Sequence, residues 1–458
     1  MWLWGAMTAA GASSDRFLAG VDASLPLAEL GRVSTLGGRL AELRGRSVML
    51  VTPDPFTAAI VLIELDGVAR RVVLCPPDLS PAHFPQIVGE AGCDAWVGDP
   101  GTNLADLGVR TVVVPGLPVA MDLERRETQE TEWILLTSGT TGAPKLVLHT
   151  LATLTNAFAG KERPAPQTVW STFYDIRRFG GLQIFLRGLL GGSLVLSSPN
   201  ESIVDFLTRA AAAGVTHISG TPSHWRKALI SGAIARISPR QVRLSGEIAD
   251  QAVLDALRRT FPGAIVAHAF ASTEAGVGFE VRDGLAGFPA ALVGAPDLPA
   301  EIDVAEGHLR LRSGGAGRCY LGTDTTPLKS ADGFVDTGDR LERRGDRYHF
   351  MGRSGGIINV GGQKVHPEEV EAVINALPGV HISRVAARKN SITGAVVAAE
   401  VVRSTAAASR EEIPNEELQR AILDACRKAL AAHKVPASIR FVPTLEVGAS
   451  GKLVRANA

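Results

Sequence analysis

Leu136-Thr137-Ser138-Gly139-Thr140-Thr141-Gly142-Ala143-Pro144-Lys145 packs hydroxyls, two glycines and one lysine into ten residues. Glycine lets the backbone approach an anion closely and turn its N–H groups toward it, hydroxyls add donors, and the lysine brings a mobile positive charge. The stretch therefore reads as a loop built to hold a polyphosphate. Its spacing, Gly139-x-x-Gly142-x-x-Lys145, departs from the G-x-x-x-x-G-K-[ST] of a Walker loop, which argues against an ordinary P-loop nucleotidase. A Ser/Thr/Gly-rich surface turn has the same composition, so the decision rests on what surrounds the loop.

On its N-terminal side, Val48 to Val51, Val72 to Cys75, Ala95 to Val97 and Val112 to Val114 read as buried strands, with 81–92 helical between two of them. That alternation predicts βαβ units on a parallel sheet. On its C-terminal side, 151–161, 181–191 and 203–213 read as helices and 193–196 and 217–219 as strands, so two α/β layers are expected within the first 280 residues. Beyond Gly294 the texture changes to short β segments with frequent glycine, among them 308–311 and 347–350, which predicts a small β-rich subdomain. The remainder offers a glycine hairpin, amphipathic helices over 367–377 and 415–432, and strands near Val396 and Ile439, the pattern of a separate α+β domain. The expected fold class is thus α/β: a large N-terminal domain, 1–352, of two α/β layered subdomains plus a β-rich one, and a small mobile α+β domain, 353–458.

Bulk composition narrows the function. The 458 residues carry 47 Lys+Arg against 47 Asp+Glu, so no global field would draw the chain to nucleic acid or anionic lipid, and small molecules are the expected partners. Cys75, Cys93, Cys319 and Cys426 form no C-x-x-C pair, which excludes a disulfide framework and a zinc spacing and fits a reducing cytoplasm. The apolar N-terminus has no basic residue before Arg16 and so lacks the charged region of a signal peptide; it reads as a packing segment or a loose end. No run of about eighteen apolar residues suggests a transmembrane helix.

Four further segments follow the loop in order: Phe270-Ala271-Ser272-Thr273-Glu274, Asp336-Thr337-Gly338-Asp339, Gly352-Arg353-Ser354-Gly355-Gly356, and Ser450-Gly451-Lys452. As a set, from about residue 47 to the C-terminus, they resemble the adenylate-forming superfamily of acyl- and aryl-CoA synthetases, peptide-synthetase adenylation domains and luciferases. The resemblance implies that Thr137, Ser138, Gly139, Thr140, Thr141, Gly142 and Lys145 lie over the β- and γ-phosphates of ATP, that Thr273 touches the α-phosphate, and that Glu274 holds Mg²⁺. It implies an adenine pocket of Ser245, Gly246 and Glu247 with the Phe270 ring stacked on the base and Ala271 and Ser272 beside it, and Asp339 and Arg353 at the ribose. Lys452 would steady the carboxylate and the forming acyl phosphate, where positive charge acts chiefly in the transition state. Gly361 and Gly362 would flank the pantetheine tunnel for coenzyme A, since paired glycines let a thin thiol arm pass close to the backbone. Taken singly, Glu274 also reads as an acid at a helix N-terminus, and Asp339 and Arg353 as a plain ion pair.

Several positions depart from the pattern. Phenylalanine stands at 270 where the superfamily commonly has tyrosine, Ala271 replaces a glycine, Gly355 replaces the Asp or Lys of the hinge, and the Phe-His-x-x-Gly of many acyl-CoA synthetases is missing from 173–181. By analogy the acid pocket is walled by Phe173, Tyr174, Gly180, Gly181, His224, Trp225 and Ala271, with core packing as the alternative for His224 and Trp225. Arg177 and Arg178 read either as ligands for a second carboxylate or as a solvated or CoA-facing pair. The expected activity is a two-step acid:thiol ligase using ATP, Mg²⁺ and coenzyme A on an unspecified carboxylic acid. A stand-alone adenylation enzyme loading a carrier protein, and a non-catalytic nucleotide-binding relative, are the alternatives.

Overall fold

Short β-branched runs punctuated by glycine form strands because each buries both faces, and in this chain they assemble two mostly parallel sheets. The structure is a computed structural model that describes residues 2–99, 104–121, 127–138, 144–158, 167–322, 327–353, 356–360, 363–390, 394–404, 414–448 and 452–454. Among these residues a seven-stranded sheet runs, in spatial order, Tyr320–Leu321, Pro144–His149, Glu132–Ser138, Arg71–Leu74, Ser47–Val51, Ala95–Gly98, Thr111–Val113. Its last five strands are parallel, as the βαβ reading requires. Glu132–Ser138 and Pro144–His149 pair antiparallel with Ser138 opposite Pro144 and Thr137 opposite Lys145. The glycine loop is thus the connection between two antiparallel strands, with Tyr320–Leu321 as the edge strand beyond them.

An eight-stranded sheet, Gly276–Val281, Ile265–Ser272, Gln241–Ser245, His217–Gly220, Val169–Thr172, Ser193–Leu196, Phe17–Ala19, Ser24–Pro26, forms the second layer. Between the sheets lie helices buried nearly all round, Pro55–Leu65 and Phe179–Gly191. Pro55–Leu65 starts where Asp54 accepts N–H bonds from Phe56 and Thr57 at 3.2 and 2.8 Å and Pro55 supplies a preset φ. The N-terminus is neither loose nor peripheral. Leu3 and Met7 of the Leu3–Ala9 helix are fully buried, and the Leu3 N–H and the Trp133 indole both donate to Asp66, at 2.5 and 2.8 Å. The fold therefore begins well before residue 47.

The β-rich part is a five-stranded antiparallel sheet, Phe288–Pro289, Arg347–Arg353, Val335–Arg344, His308–Arg312, Glu301–Ala305, starting slightly earlier than expected. After it, the Ile358–Val360 and Gln363–Val365 hairpin, the helices Pro367–Asn375 and Asn415–Ala429, and a three-stranded sheet close over a separate core of Ile358, Val365, Val370, Ile374, Val397 and Ile422. One long strand was not anticipated: Val380–Asn390 pairs antiparallel with Gly394–Arg403. The helix expected over 151–161 ends at Thr155, and 159–166 lie outside the described residues.

Candidate active site

The C-terminal end of the Gln241–Ser245 strand, the Val335–Arg344 and Arg347–Arg353 strands of the five-stranded sheet, and residues 452–454 come together at one cleft. The turn at Thr273 and Glu274 is fixed from behind. His149, fully buried at the end of its strand, sits with Nε2 2.8 Å from the Thr273 carbonyl oxygen and Nδ1 3.0 Å from the Thr153 hydroxyl. A carbonyl only accepts, so the ring proton is on Nε2 and the Thr153 hydroxyl donates to Nδ1. Burial pushes the His149 pKa down to about 4, which keeps the ring neutral. The Gly317 N–H donates to the Glu274 carbonyl at 2.9 Å and the Ala275 N–H to the Ser272 hydroxyl at 3.0 Å. Gly276, at φ +78°, passes so close to the 313–317 loop that a Cβ would lie 2.5 Å from the Gly315 carbonyl oxygen. The turn is held by the His149 ring, the Ser272 hydroxyl and the backbone of the 313–317 loop, all through main-chain groups, so the half-buried Thr273 hydroxyl and Glu274 carboxylate are left for other work.

Opposite lies the end of the Gln241–Ser245 strand. The Tyr174 hydroxyl donates to the Ser245 carbonyl at 2.6 Å. Gly246 turns the chain at φ +85°; around the position a Cβ would take stand Lys452 Cε at 3.5 Å, Thr221 Cγ2 at 3.7 Å and the Tyr174 hydroxyl at 4.0 Å. Glu247 accepts from the Ser223 N–H at 2.9 Å, the Ser223 hydroxyl at 3.0 Å and the Leu453 N–H at 2.9 Å. That last bond carries Lys452 into the cleft. Lys452 is exposed as a residue while its Cε reaches Gly246, and burial, then Arg353, lower its pKa against the pull of Glu247 and Asp339.

Asp339 and Arg353 are register partners across two strands, with Arg353 Nε 3.4 Å from Asp339 Oδ1. Oδ2 of Asp339 is buried and accepts no hydrogen bond among the described residues, and burial raises this carboxyl although Arg353 opposes the shift. Such an orphaned acceptor costs about 1–3 kcal/mol unless a donor arrives. Phe270 is half-buried and lies parallel to Phe350 at 5.4 Å and 6° and to Phe279 at 5.8 Å and 18°. Its ring is part of a ladder of sheet side chains, so only its remaining surface is open to a base. Lys145 lies with Nζ 4.9 Å from the centre of the Tyr320 ring. Gly139, Thr140, Thr141, Gly142, Gly355, Gly361 and Gly362 lie outside the described residues, as does the Ser138 side chain.

The expected acid wall needs correction. Arg177 is fully buried, donating to both Asp175 oxygens at 2.7 and 2.6 Å and to the Thr52 carbonyl, so it ties two loops together and binds no substrate. Trp225 is core: fully buried, its indole donates to the Arg243 carbonyl at 3.1 Å, and it backs Phe173 edge-on. Gly181 is required by packing, since a Cβ would meet the Asp175 carbonyl oxygen at 2.1 Å. Arg178 pairs with Asp78 at 2.5 Å. Phe173, Tyr174 and His224 do stand together, with His224 parallel to Phe173 at 5.3 Å and edge-on to Tyr174 at 5.8 Å; a Cβ on Gly180 would stand 3.5 Å from the Tyr174 ring, and Ala271 is half-buried at the end of its strand. Burial pushes the His224 pKa down to about 3, so the ring is neutral. A surface depression of about 790 Å³ lined by Arg258, Phe261 and Arg282 shares none of these residues. His149 and the Glu247–Leu453 bond escaped the sequence reading, because neither contact is local in the chain; a histidine directly before the Thr150 helix cap was the only hint.

Comparison with known proteins agrees with this geometry. Residues 74–324 match the model of the AMP-binding enzyme family and 369–452 that of the AMP-binding enzyme C-terminal domain. The chain is similar to 2-succinylbenzoate–CoA ligase of Listeria innocua, 28% identical over 376 residues covering 78% of this chain and 74% of that one. The Bacillus cereus enzyme of the same name is 26% identical over 438 residues, 90% and 87% of the two chains. Among solved structures, the anthranilate CoA ligase AuaEII in complex with anthranoyl-AMP superposes with a TM-score of 0.79 at 19% identity, over 99% of this chain and 95% of that one. The amide bond synthetase McbA from Marinactinospora thermotolerans gives 0.77 at 20% identity over 98% of each chain. With more than half of its residues matching the family model and the C-terminal model following in order, the chain belongs to the AMP-binding enzyme family.

Proposed function

We propose that this chain is an ATP-dependent carboxylic acid:CoA ligase that forms an acyl adenylate and then a thioester. The observation that carries the reading is the meeting, in one cleft, of Lys452 with Gly246, Asp339 and Arg353, all predicted from the sequence to serve one nucleotide and one acid. In the first step an acid oxygen attacks the α-phosphorus, a new P–O bond forms, and pyrophosphate leaves with the electrons of the broken P–O bond. The Lys452 ammonium is placed to offset the charge that builds on the acid and the phosphoryl oxygens, Thr273 offers its hydroxyl to the α-phosphate, and Lys145 with the 137–142 hydroxyls and N–H groups holds the leaving phosphates. Asp339 Oδ2 is a ready acceptor for a ribose hydroxyl. In the second step a thiol attacks the acyl carbon, loses its proton, and AMP departs.

Mg²⁺ commonly binds through one or two carboxylates and the substrate's own phosphates. Glu274, half-buried and with no side-chain hydrogen bond or ion pair among the described residues, fits that need, and no group of three metal-binding side chains occurs among those residues. The ion would supply charge neutralisation for the triphosphate. We place the domain boundary at 352/353, within the last residues of the Arg347–Arg353 strand and ahead of the separate C-terminal core, and let Gly355 serve as the hinge between the two half-reactions. Coenzyme A is the proposed thiol, in keeping with the ligases this chain is similar to. No helix among the described residues is long and apolar enough to cross a membrane, which agrees with the cytoplasmic placement we propose. Retention of Lys145, Thr273, Glu274, Asp339, Arg353 and Lys452 together disfavours a non-catalytic relative.

The test is mass-spectrometric product analysis after incubation with ATP, Mg²⁺ and a panel of aryl and aliphatic acids, with and without CoA. Acyl-CoA and AMP are the expected products. Adenylate accumulating in the presence of CoA would move the acceptor to a carrier-protein thiol or an amine, and absence of AMP with every acid would overturn the ligase reading.

A further inference from the structure

Ser223 and Arg226 stand three residues apart on the Pro222–Ile230 helix, so they share one face about 4.5 Å apart along its axis. Each meets a carboxylate on the chain that follows the Gln241–Ser245 strand: Ser223 donates to Glu247, and Arg226 pairs with Asp250, the cap of the Gln251–Thr260 helix. Both pairs then reach across to the C-terminal part of the molecule. Glu247 accepts the Leu453 N–H, Asp250 accepts from the Asn375 amide at 3.5 Å, and Arg226 Nε donates to the His381 carbonyl at 3.3 Å. One helix face thus carries two anchors, one for the segment that brings in Lys452 and one for the body of the C-terminal core.

Each member of the second anchor is held on its own side. Trp225, next to Arg226, is fixed in the core, and Asp250 Oδ1 accepts from the Val253 N–H at 3.0 Å, leaving Oδ2 for Arg226 and Asn375. Asn375 Oδ1 accepts from the Ser383 N–H at 2.7 Å and the Ser383 hydroxyl at 2.9 Å, which fixes the orientation of the amide and turns its donor nitrogen toward Asp250. His381, pushed down to about 4 by burial and then by Arg226, puts no second positive charge beside the guanidinium. The Arg226 and Asp250 side chains are only 7% and 16% exposed. When the C-terminal core turns away, Arg226 keeps Asp250 and both regain water, so opening strands no charge and only the crossing bonds are lost.

We propose that Arg226, Asp250 and Asn375 form a latch that holds the C-terminal core in the pose with Lys452 in the cleft, and that they are positioning residues which favour adenylate formation over the thioester step. This inference rests on the acid-ligase reading. Hydrogen bonds to charged groups of this kind weight the latched pose over the open one by about 10- to 100-fold.

The first readout needs no substrate. Residue-resolved amide hydrogen exchange follows the Leu453 N–H, which Glu247 protects only while the core is latched, in the full chain as wild type, Arg226→Met and Asp250→Asn. Arg226→Met is expected to speed Leu453 exchange about tenfold or more while amides of 222–230 and 241–245 keep their wild-type rates. Unchanged exchange at Leu453 overturns the proposal, as does faster exchange throughout 222–230 and 241–245, which would make Arg226 a tie within its own domain. Asp250→Asn, which retains an oxygen for the Val253 cap, is expected to speed Leu453 exchange about threefold or more, and it decides the matter should Arg226→Met not fold. The second readout is the split between half-reactions, with whichever of benzoate, hexanoate and octanoate yields AMP. In Arg226→Met the kcat of ATP–pyrophosphate exchange is expected to fall about tenfold with KM for ATP within about threefold, while CoA transfer from the supplied acyl adenylate is no slower than in wild type, and Arg226→Lys lies between. Equal loss in both half-reactions overturns the proposal. Should no acid be activated, the ligase reading fails by itself, and Leu453 exchange still upholds or sinks the latch.

Discussion

Replacing His149 tests whether one buried ring positions the Thr273–Glu274 turn. In the His149→Leu variant the Thr273 carbonyl loses its donor, a loss of about 1–3 kcal/mol of stability. Displacement of the turn by about 1 Å would slow adenylation about 100-fold. His149→Gln keeps an amide N–H within reach of that carbonyl and is expected to retain most activity. The pH dependence separates the two roles. Burial depresses the ring from 6.5 to about 4, so between those values the unfolded chain binds a proton that the native protein refuses. Stability is therefore full above pH 6.5 and is lost as pH falls, by about 2 kcal/mol at pH 5 and about 3 kcal/mol at pH 4. His224 and His381, depressed to about 3 and about 4 by burial, add the same slope, so the difference between variant and wild type isolates His149. Urea unfolding at pH 7, 6, 5 and 4.5, alongside pyrophosphate exchange at pH 7, measures both. Parallel stability curves for wild type and His149→Leu would refute the buried neutral ring, and unimpaired exchange in His149→Leu would refute its hold on the turn.

Lys452→Ala should slow adenylate formation by about 100- to 1,000-fold, the cost of one preorganised donor, while CoA transfer from a supplied acyl adenylate changes little; rapid-quench assays of the two half-reactions check the split. Asp339→Asn keeps the shape but removes the buried negative acceptor, and kcat/KM for ATP should fall about 10- to 100-fold in exchange kinetics, with no loss of melting temperature. Arg177→Met strands Asp175 without its bidentate partner, and calorimetry or urea unfolding should show a loss of about 3–5 kcal/mol, with acid preference unchanged in whatever protein folds.

Much of this was readable along the chain because it is local. Runs such as Val48 to Val51 and Leu194 to Leu196 are apolar throughout, and only strands buried on both faces suit them, so the alternating α/β layers follow from the residues themselves. Val380–Asn390 was invisible for the opposite reason. It carries His381, Arg384, Arg388 and Lys389, and becomes a strand through the ten-residue partner Gly394–Arg403 rather than through its own pattern. Residues 2–46 were equally opaque, since Leu3 and Met7 find their core, and Asp66 its donors, more than sixty residues away.

The sequence by itself determined the chemical inventory of this protein: a hydroxyl- and glycine-rich loop ending in Lys145, the Thr273–Glu274 pair, Asp339 with Arg353, and Lys452, in an order and spacing that named their family. Which charges are spoken for was decided only by tertiary structure. Arg177 and Arg187 are ten residues apart and alike on paper, yet one is saturated by Asp175 and Thr52 while the other lies over the Phe158 ring with its Nε unbonded among the described residues. The energy of a charge depends on what surrounds it within a few ångströms, and those neighbours come from strands far apart in the chain.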